Sequence, residues 1–148
     1  MLKKEYILRD MDCSNSEEAI RMLADVLEKD GAVKDTFCKA VVDREKEYPT
    51  GLPAVAFDVA VPHTTDSHVN RPSIAVGFLS KPVMFRQMGS PEIELYPEVI
   101  LMLAISDPEK QLVLLKKLMV FLQDENALKS LKASSTKDEV YEIVNSYI

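Results

Sequence analysis

Ala19, Ile20, Leu23, Ala24 and Leu27 recur at the three-and-four spacing of one helical face. Ser14-Asn15-Ser16-Glu17 stands before them as a capping box, in which a serine hydroxyl and a glutamate carboxylate satisfy the first free N–H groups. Gly31 marks the stop. A second helix is expected from about Asp35 to Glu47, with Phe37, Ala40 and Val41 facing inward. After Tyr48-Pro49-Thr50-Gly51-Leu52-Pro53 the period changes. Val55, Phe57, Val59 and Val61 alternate with Ala56, Asp58 and Ala60, a strand pattern that ends at Pro62. Ile74–Leu79 and Val99–Ile105 are unbroken apolar runs, suited to strands covered on both faces. A short strand is expected near Val83 to Arg86, and Pro91 and Pro97 give the stretch between strands a loop-like character.

Three more helices follow. Ser106-Asp107-Pro108-Glu109 caps the first, whose core face is expected from Leu112, Leu115, Leu118, Met119 and Leu122. Asn126 to Lys132 forms a short one. Thr136-Lys137-Asp138-Glu139 caps the last, with Val140, Ile143, Val144 and Tyr147 inward. Helices, strands, then helices around one sheet predict an α/β sandwich.

At 148 residues the chain has the length of one domain, 1–148. Such a chain buries roughly 70% of the surface its unfolded form exposes, so a full core needs no staples. The 47% hydrophobic share fits that core, and 4 glycines with 8 prolines exclude collagen-like and low-complexity classes. A net charge of -6 argues against nonspecific nucleic-acid binding and against docking on anionic lipid, and it permits contact with a basic protein partner. Cys13 and Cys38 are too few for a disulfide framework and form no C-x-x-C motif, which suits reduced thiols. The first ten residues hold no apolar signal segment, and the longest apolar run, Val99 to Ile105, is far short of a membrane span. A cytoplasmic protein is expected, tied to a membrane only through a partner.

Imidazole chemistry in this chain must use His63 or His68, the only two histidines. His63 follows a buried strand end and a proline that stops the ladder and stiffens the backbone. The carboxyl edge of a sheet is where open α/β folds place ligands, and a neutral imidazole is a competent nucleophile near pH 7. An ordinary strand-end histidine would read the same way. Arg44 continues the apolar stripe of Phe37, Ala40 and Val41, where a guanidinium calls for an anion or for a carboxylate such as Glu47. Thr50-Gly51 offers a hydroxyl and a permissive backbone to a phosphoryl group, or is a plain turn. Gln111 sits in the first turn of a helix, near free N–H groups, as an anion contact or a partly exposed glutamine. His63 and His68 with Asp66 between them suggest a metal, but the spacing matches no zinc pattern and no third strong ligand is near.

Arg44-Glu45-Lys46-Glu47-Tyr48-Pro49-Thr50-Gly51, followed by Val59-Ala60-Val61-Pro62-His63, resembles the enzyme IIA domain of the fructose–mannitol class of the sugar phosphotransferase system. Its pattern is an Arg-Glu pair ending a helix, a Thr-Gly turn, and a small-apolar-Pro-His strand end; the order of elements extends the resemblance over the whole chain. The resemblance implies that class's fold, with a mixed sheet of about five strands flanked by helices. It implies that His63 takes a phosphoryl group from the phosphocarrier protein HPr and passes it to a cognate enzyme IIB, with Arg44 beside it. The IIC transporter is then the link to a membrane. Phosphoryl transfer of this kind rests on positioning and charge stabilisation, and needs no metal or other cofactor. Mannitol-like members carry a second histidine where this chain has Gln111. That departure, and the Glu47–Ala54 insert, look like the galactitol branch. His68 is a candidate to replace the missing imidazole. The site is expected to be a shallow patch with an apolar rim from Leu52, Pro53 and Val55. Two rivals stand beside this reading: a phosphorylation-dependent regulatory IIA-like module, and a metal-dependent hydrolase using His63, His68 and Asp66.

Overall fold

The computed structural model describes residues 1–148. The chain opens on a strand, β1 (Leu2–Met11), which the hydrophobic pattern did not predict. Two helices follow, α1 (Ser16–Lys29) and α2 (Phe37–Glu47). The cap of α1 lies one residue later than the Ser14 box places it. Asn15 Oδ1 accepts from the Glu18 N–H, and the Glu18 carboxylate reaches back to the Ser14 N–H.

Next come β2 (Gly51–Pro53), β3 (Asp58–Ala60), a single 3-10 turn at Asp66–His68, and β4 (Ser73–Leu79). The expected strand from Val55 to Val61 is therefore only its last part; the preceding residues lead out of β2, which pairs antiparallel with β3. Then follow β5 (Phe85–Gln87), β6 (Ser90–Leu95) and β7 (Val99–Ala104). The chain ends in α3 (Pro108–Leu122), α4 (Glu125–Ala133) and α5 (Lys137–Asn145). Pro91 lies inside β6 rather than in a loop. β6 is an edge strand, where a missing N–H breaks no ladder bond.

The sheet has seven strands, more than the five or so expected, in the order β1-β4-β7-β3-β2-β5-β6. It is mixed: β1 with β4, β3 with β7 and β2 with β5 are parallel, and the remaining pairs antiparallel. β7 and most of β4 are wholly buried, as their unbroken apolar runs require. α1 and the end of β1 close over β4 so tightly that a Cβ at Gly77 would sit 3.2 Å from the Leu23 methyls of α1 and 2.4 Å from Met11 Sδ of β1. On α3 the buried residues are Leu114, Leu118, Phe121 and Leu122, whereas Leu112 and Met119 are 57% and 45% exposed. Apolar residues run nearly all round this helix, so periodicity alone could not choose its inner face. No helix is long and apolar enough to cross a membrane.

Candidate functional site

A cavity of about 550 Å³ opens between the C-terminal end of α2, the Thr50-Gly51 turn, the β5–β6 hairpin and α3. His63, Arg44, Thr50 and Glu47 all line it. Its apolar wall comes from Leu52, Val61, Leu115 and Leu118 among others; of the expected rim only Leu52 contributes, and Pro53 and Val55 lie elsewhere. The opposite wall includes Met88 and Gly89 at the tip of the β5–β6 hairpin, where Gly89 takes a φ of 76°.

His63 is delivered by the end of β3. The Leu103 N–H bonds to the Pro62 carbonyl at 3.0 Å, so β7 holds the chain past the strand end. The imidazole Nδ1 lies 2.8 Å from the Val61 carbonyl. A carbonyl only accepts, so Nδ1 carries the proton and Nε2 keeps its lone pair. Burial lowers the His63 pKa, the Val61 carbonyl opposes that, and Arg44 lowers it further. The ring is neutral at pH 7.

Arg44 has no bridge to Glu47. Its Nε is buried without a hydrogen-bond partner, and its guanidinium lies 5.2 Å from the centre of the Tyr48 ring. A cation so placed, stacked on one side and unpaired in the plane, is ready for an anion. Thr50 is only 2% exposed and is pinned by a neighbour that the pattern of apolar positions did not single out. The Glu45 carboxylate accepts from the Thr50 N–H at 2.8 Å and from its hydroxyl at 2.7 Å. Glu45 stands in the Arg-Glu pair of the motif, and its spacing of five from Thr50 was the signal available. Gly51 is required by crowding: a Cβ there would meet the Arg86 carbonyl oxygen at 2.6 Å.

Residues 1–147 match the family described as "Phosphoenolpyruvate-dependent sugar phosphotransferase system, EIIA 2". The chain belongs to this EIIA 2 family. Multiphosphoryl transfer protein 1 of Escherichia coli K12 is 30% identical over 149 residues, which is 99% of this chain and 17% of that protein. This EIIA 2 chain thus spans about a sixth of that relative's length. The galactitol-specific EIIA component of the same organism is 29% identical over 101 residues, 68% of this chain and 67% of that one. Among solved structures, the E. coli complex of enzyme IIAMTL with phosphorylated enzyme IIBMTL superposes with a TM-score of 0.78 at 25% identity, over 99% of both chains. The family is one of phosphoryl carriers, and the mixed α/β sheet is its fold.

Two of the residues picked out in the sequence lie away from the EIIA 2 cavity. Gln111 is half-buried on α3, one turn before Leu115, and does not line it. His68 sits in the 3-10 turn with Nδ1 2.8 Å from the Thr36 hydroxyl, beside a separate surface hollow shared with Asp35 and Asp43. The sequence neighbours His63, Asp66 and His68 do not converge into a metal-binding group. That dispersal removes the ligand set on which the hydrolase reading depended.

Proposed function

We propose that this chain accepts a phosphoryl group from HPr on His63 Nε2 and hands it to a cognate enzyme IIB, in the uptake of galactitol or a related polyol. The observation that carries the proposal is the locked tautomer. With Nδ1–H committed to the Val61 carbonyl, the lone pair of a neutral ring is presented at Nε2. In the transfer step this lone pair forms the P–N bond while the bond from phosphorus to the donor breaks, and that electron pair leaves with the donor. Arg44 lies at the same cavity with a free Nε and offsets the charge on the equatorial oxygens. Transfer to IIB runs the same step in reverse.

The partner assignment draws support from the solved complex, whose IIAMTL component is 25% identical to this chain and sits with a phosphorylated IIB. Both a galactitol-specific EIIA and a mannitol-specific EIICBA of E. coli resemble the chain, at 29% and 31% identity. Gln111, in place of an imidazole, favours galactitol. The test is incubation with phosphoenolpyruvate, enzyme I and HPr, then mapping of acid-labile phosphate. Label on His63 that discharges to a galactitol IIB is expected. Label on another residue, or none, overturns the assignment. Label that no IIB removes favours a regulatory role.

A further inference from the structure

Glu45 has no part in the transfer step described above, yet a continuous path of hydrogen bonds joins it to the nucleophile. Its two carboxyl oxygens hold the N–H and the hydroxyl of Thr50. The Thr50 carbonyl accepts from the Val61 N–H at 3.2 Å, and the Val61 carbonyl accepts from His63 Nδ1. Thr50 itself lines the cavity that contains His63.

The hydroxyl of Thr50 has a single proton. While Glu45 is ionised, that proton is spent on the carboxylate, and only lone pairs remain for the cavity. Such a hydroxyl repels an arriving phosphoryl oxygen. Once Glu45 is protonated, the carboxyl donates to Thr50 Oγ1 instead, and the threonine proton is free to turn outward. The N–H of Thr50 keeps its acceptor in both arrangements, so the backbone need not move.

We propose that Glu45 is a positioning residue for phosphoryl transfer: it takes one proton from solvent as the phosphoryl group settles on His63, and thereby turns the Thr50 hydroxyl into a donor to a phosphoryl oxygen. The proposal rests on the phospho-His63 reading. The balance is one proton gained by Glu45 for one phosphoryl group bound, and one proton returned to solvent when the group leaves.

The surroundings suit this exchange. Burial pushes the Glu45 carboxyl up to about 7, against the hydrogen bonds from Thr50 and the nearby charge of Arg44, so both protonation states are accessible near neutrality. Three other charges line the hollow on its far side: Glu17 of α1, Lys46 of α2 and Arg86 of β5. Lys46 lies 3.9 Å from Glu17, and Arg86 donates to the Pro91 carbonyl. His63 is neutral before transfer, so the arriving phosphoryl group is the new negative charge, and it favours the protonated carboxyl.

Glu45→Gln and Glu45→Ala test this against the wild type. A glutamine accepts from the Thr50 N–H with its oxygen and donates to Thr50 Oγ1 with its amide, fixing the protonated arrangement. Rates of His63 labelling from phospho-HPr are measured from pH 6 to 8. Relative to E45Q, the wild-type rate is expected to fall about tenfold across this range, following the protonated fraction of a group with a midpoint near 7. E45A is expected to be about tenfold slower than E45Q at pH 6, having lost both contacts to Thr50. A carbon-13 titration of the Glu45 carboxyl should move to higher pH when His63 carries phosphate. Parallel pH profiles for wild type and E45Q, or an unmoved titration, overturn the proposal. If E45A fails to fold, as seen by circular dichroism, the wild-type and E45Q profiles still decide. Absence of label on His63 in the wild type is a separate outcome and overturns the phosphohistidine reading itself.

Discussion

Two polar clusters of this protein are built from similar parts and treat them in opposite ways. One ties the start of β1 to the end of α1. The Asp30 carboxylate receives the Tyr6 hydroxyl, Lys3 Nζ at 2.9 Å and Arg71 Nη2 at 2.6 Å. Arg71 also reaches the Asp30 carbonyl at 2.7 Å. Every cation in it has an anion, and the Tyr6 and Lys3 contacts hold Asp30 down at about 2. The other cluster is at the cavity. There Arg44 has a buried Nε with no partner, a carboxyl is driven up by burial, and the imidazole of His63 is driven down. A completed network is a fastening. A network with one vacancy, and with titratable groups pushed toward neutrality from both sides, is a place for a ligand to complete it.

Substitutions that exchange the two behaviours would break this contrast. The largest effect is expected for His63→Ala, which should fold and melt as the wild type but accept no phosphoryl group from phospho-HPr; retained label would end the assignment. Arg44→Ala should follow. Loss of one preorganised charge contact raises the barrier by about 2–4 kcal/mol, read as a fall in labelling rate. An unchanged rate in a stable protein would make Arg44 a structural residue like Arg71.

Asp30→Asn tests the fastening. Phosphoryl transfer should be untouched while the melting temperature drops at neutral pH. The folded pKa lies below the ordinary value of 3.8, so this contribution is fully present above about pH 4 and is lost as pH falls through 2. Melting curves of the two proteins should therefore converge toward pH 2; a constant gap would mean the carboxylate charge is not what fastens β1. The smallest effect belongs to His68→Ala, expected to leave labelling within about twofold, as for surface changes away from a site. Loss of activity there would join the two histidines into one site.

How far such a contrast could be read from the sequence depended on how local the signals were. His63, Arg44 and Thr50 each stand at the end of an element, and element ends are marked by prolines, glycines and caps. The central strands β4 and β7 announced themselves because burial on both faces leaves no polar position. β1 did not. Lys3, Lys4 and Glu5 are consecutive and exposed, the pairing with β4 carries register shifts, and Asp10 takes a φ of 53°. Its alternation is broken by the irregularity that lets it bend. The grip of Glu45 on Thr50 was hidden differently. A half-buried glutamate and an exposed one occupy the same helical position in a sequence, and only the turn that follows α2 folds the hydroxyl back onto it.

The two edges of the sheet have a consequence for how copies of this protein meet. β1 and β6 are the outermost strands, and an unguarded edge invites pairing with any passing strand. β1 exposes Lys3, Lys4 and Glu5 and packs beside α5, with Lys4 paired to Asp138. β6 exposes Glu92 and Glu94 and carries Pro91. A second copy laying its β6 along this β6 would bring glutamates together and meet a position without an N–H, while the charged start of β1 would have to give up its solvent. Charge and proline thus guard the two flanks of the sheet, with Ile93 the exposed apolar residue left on β6.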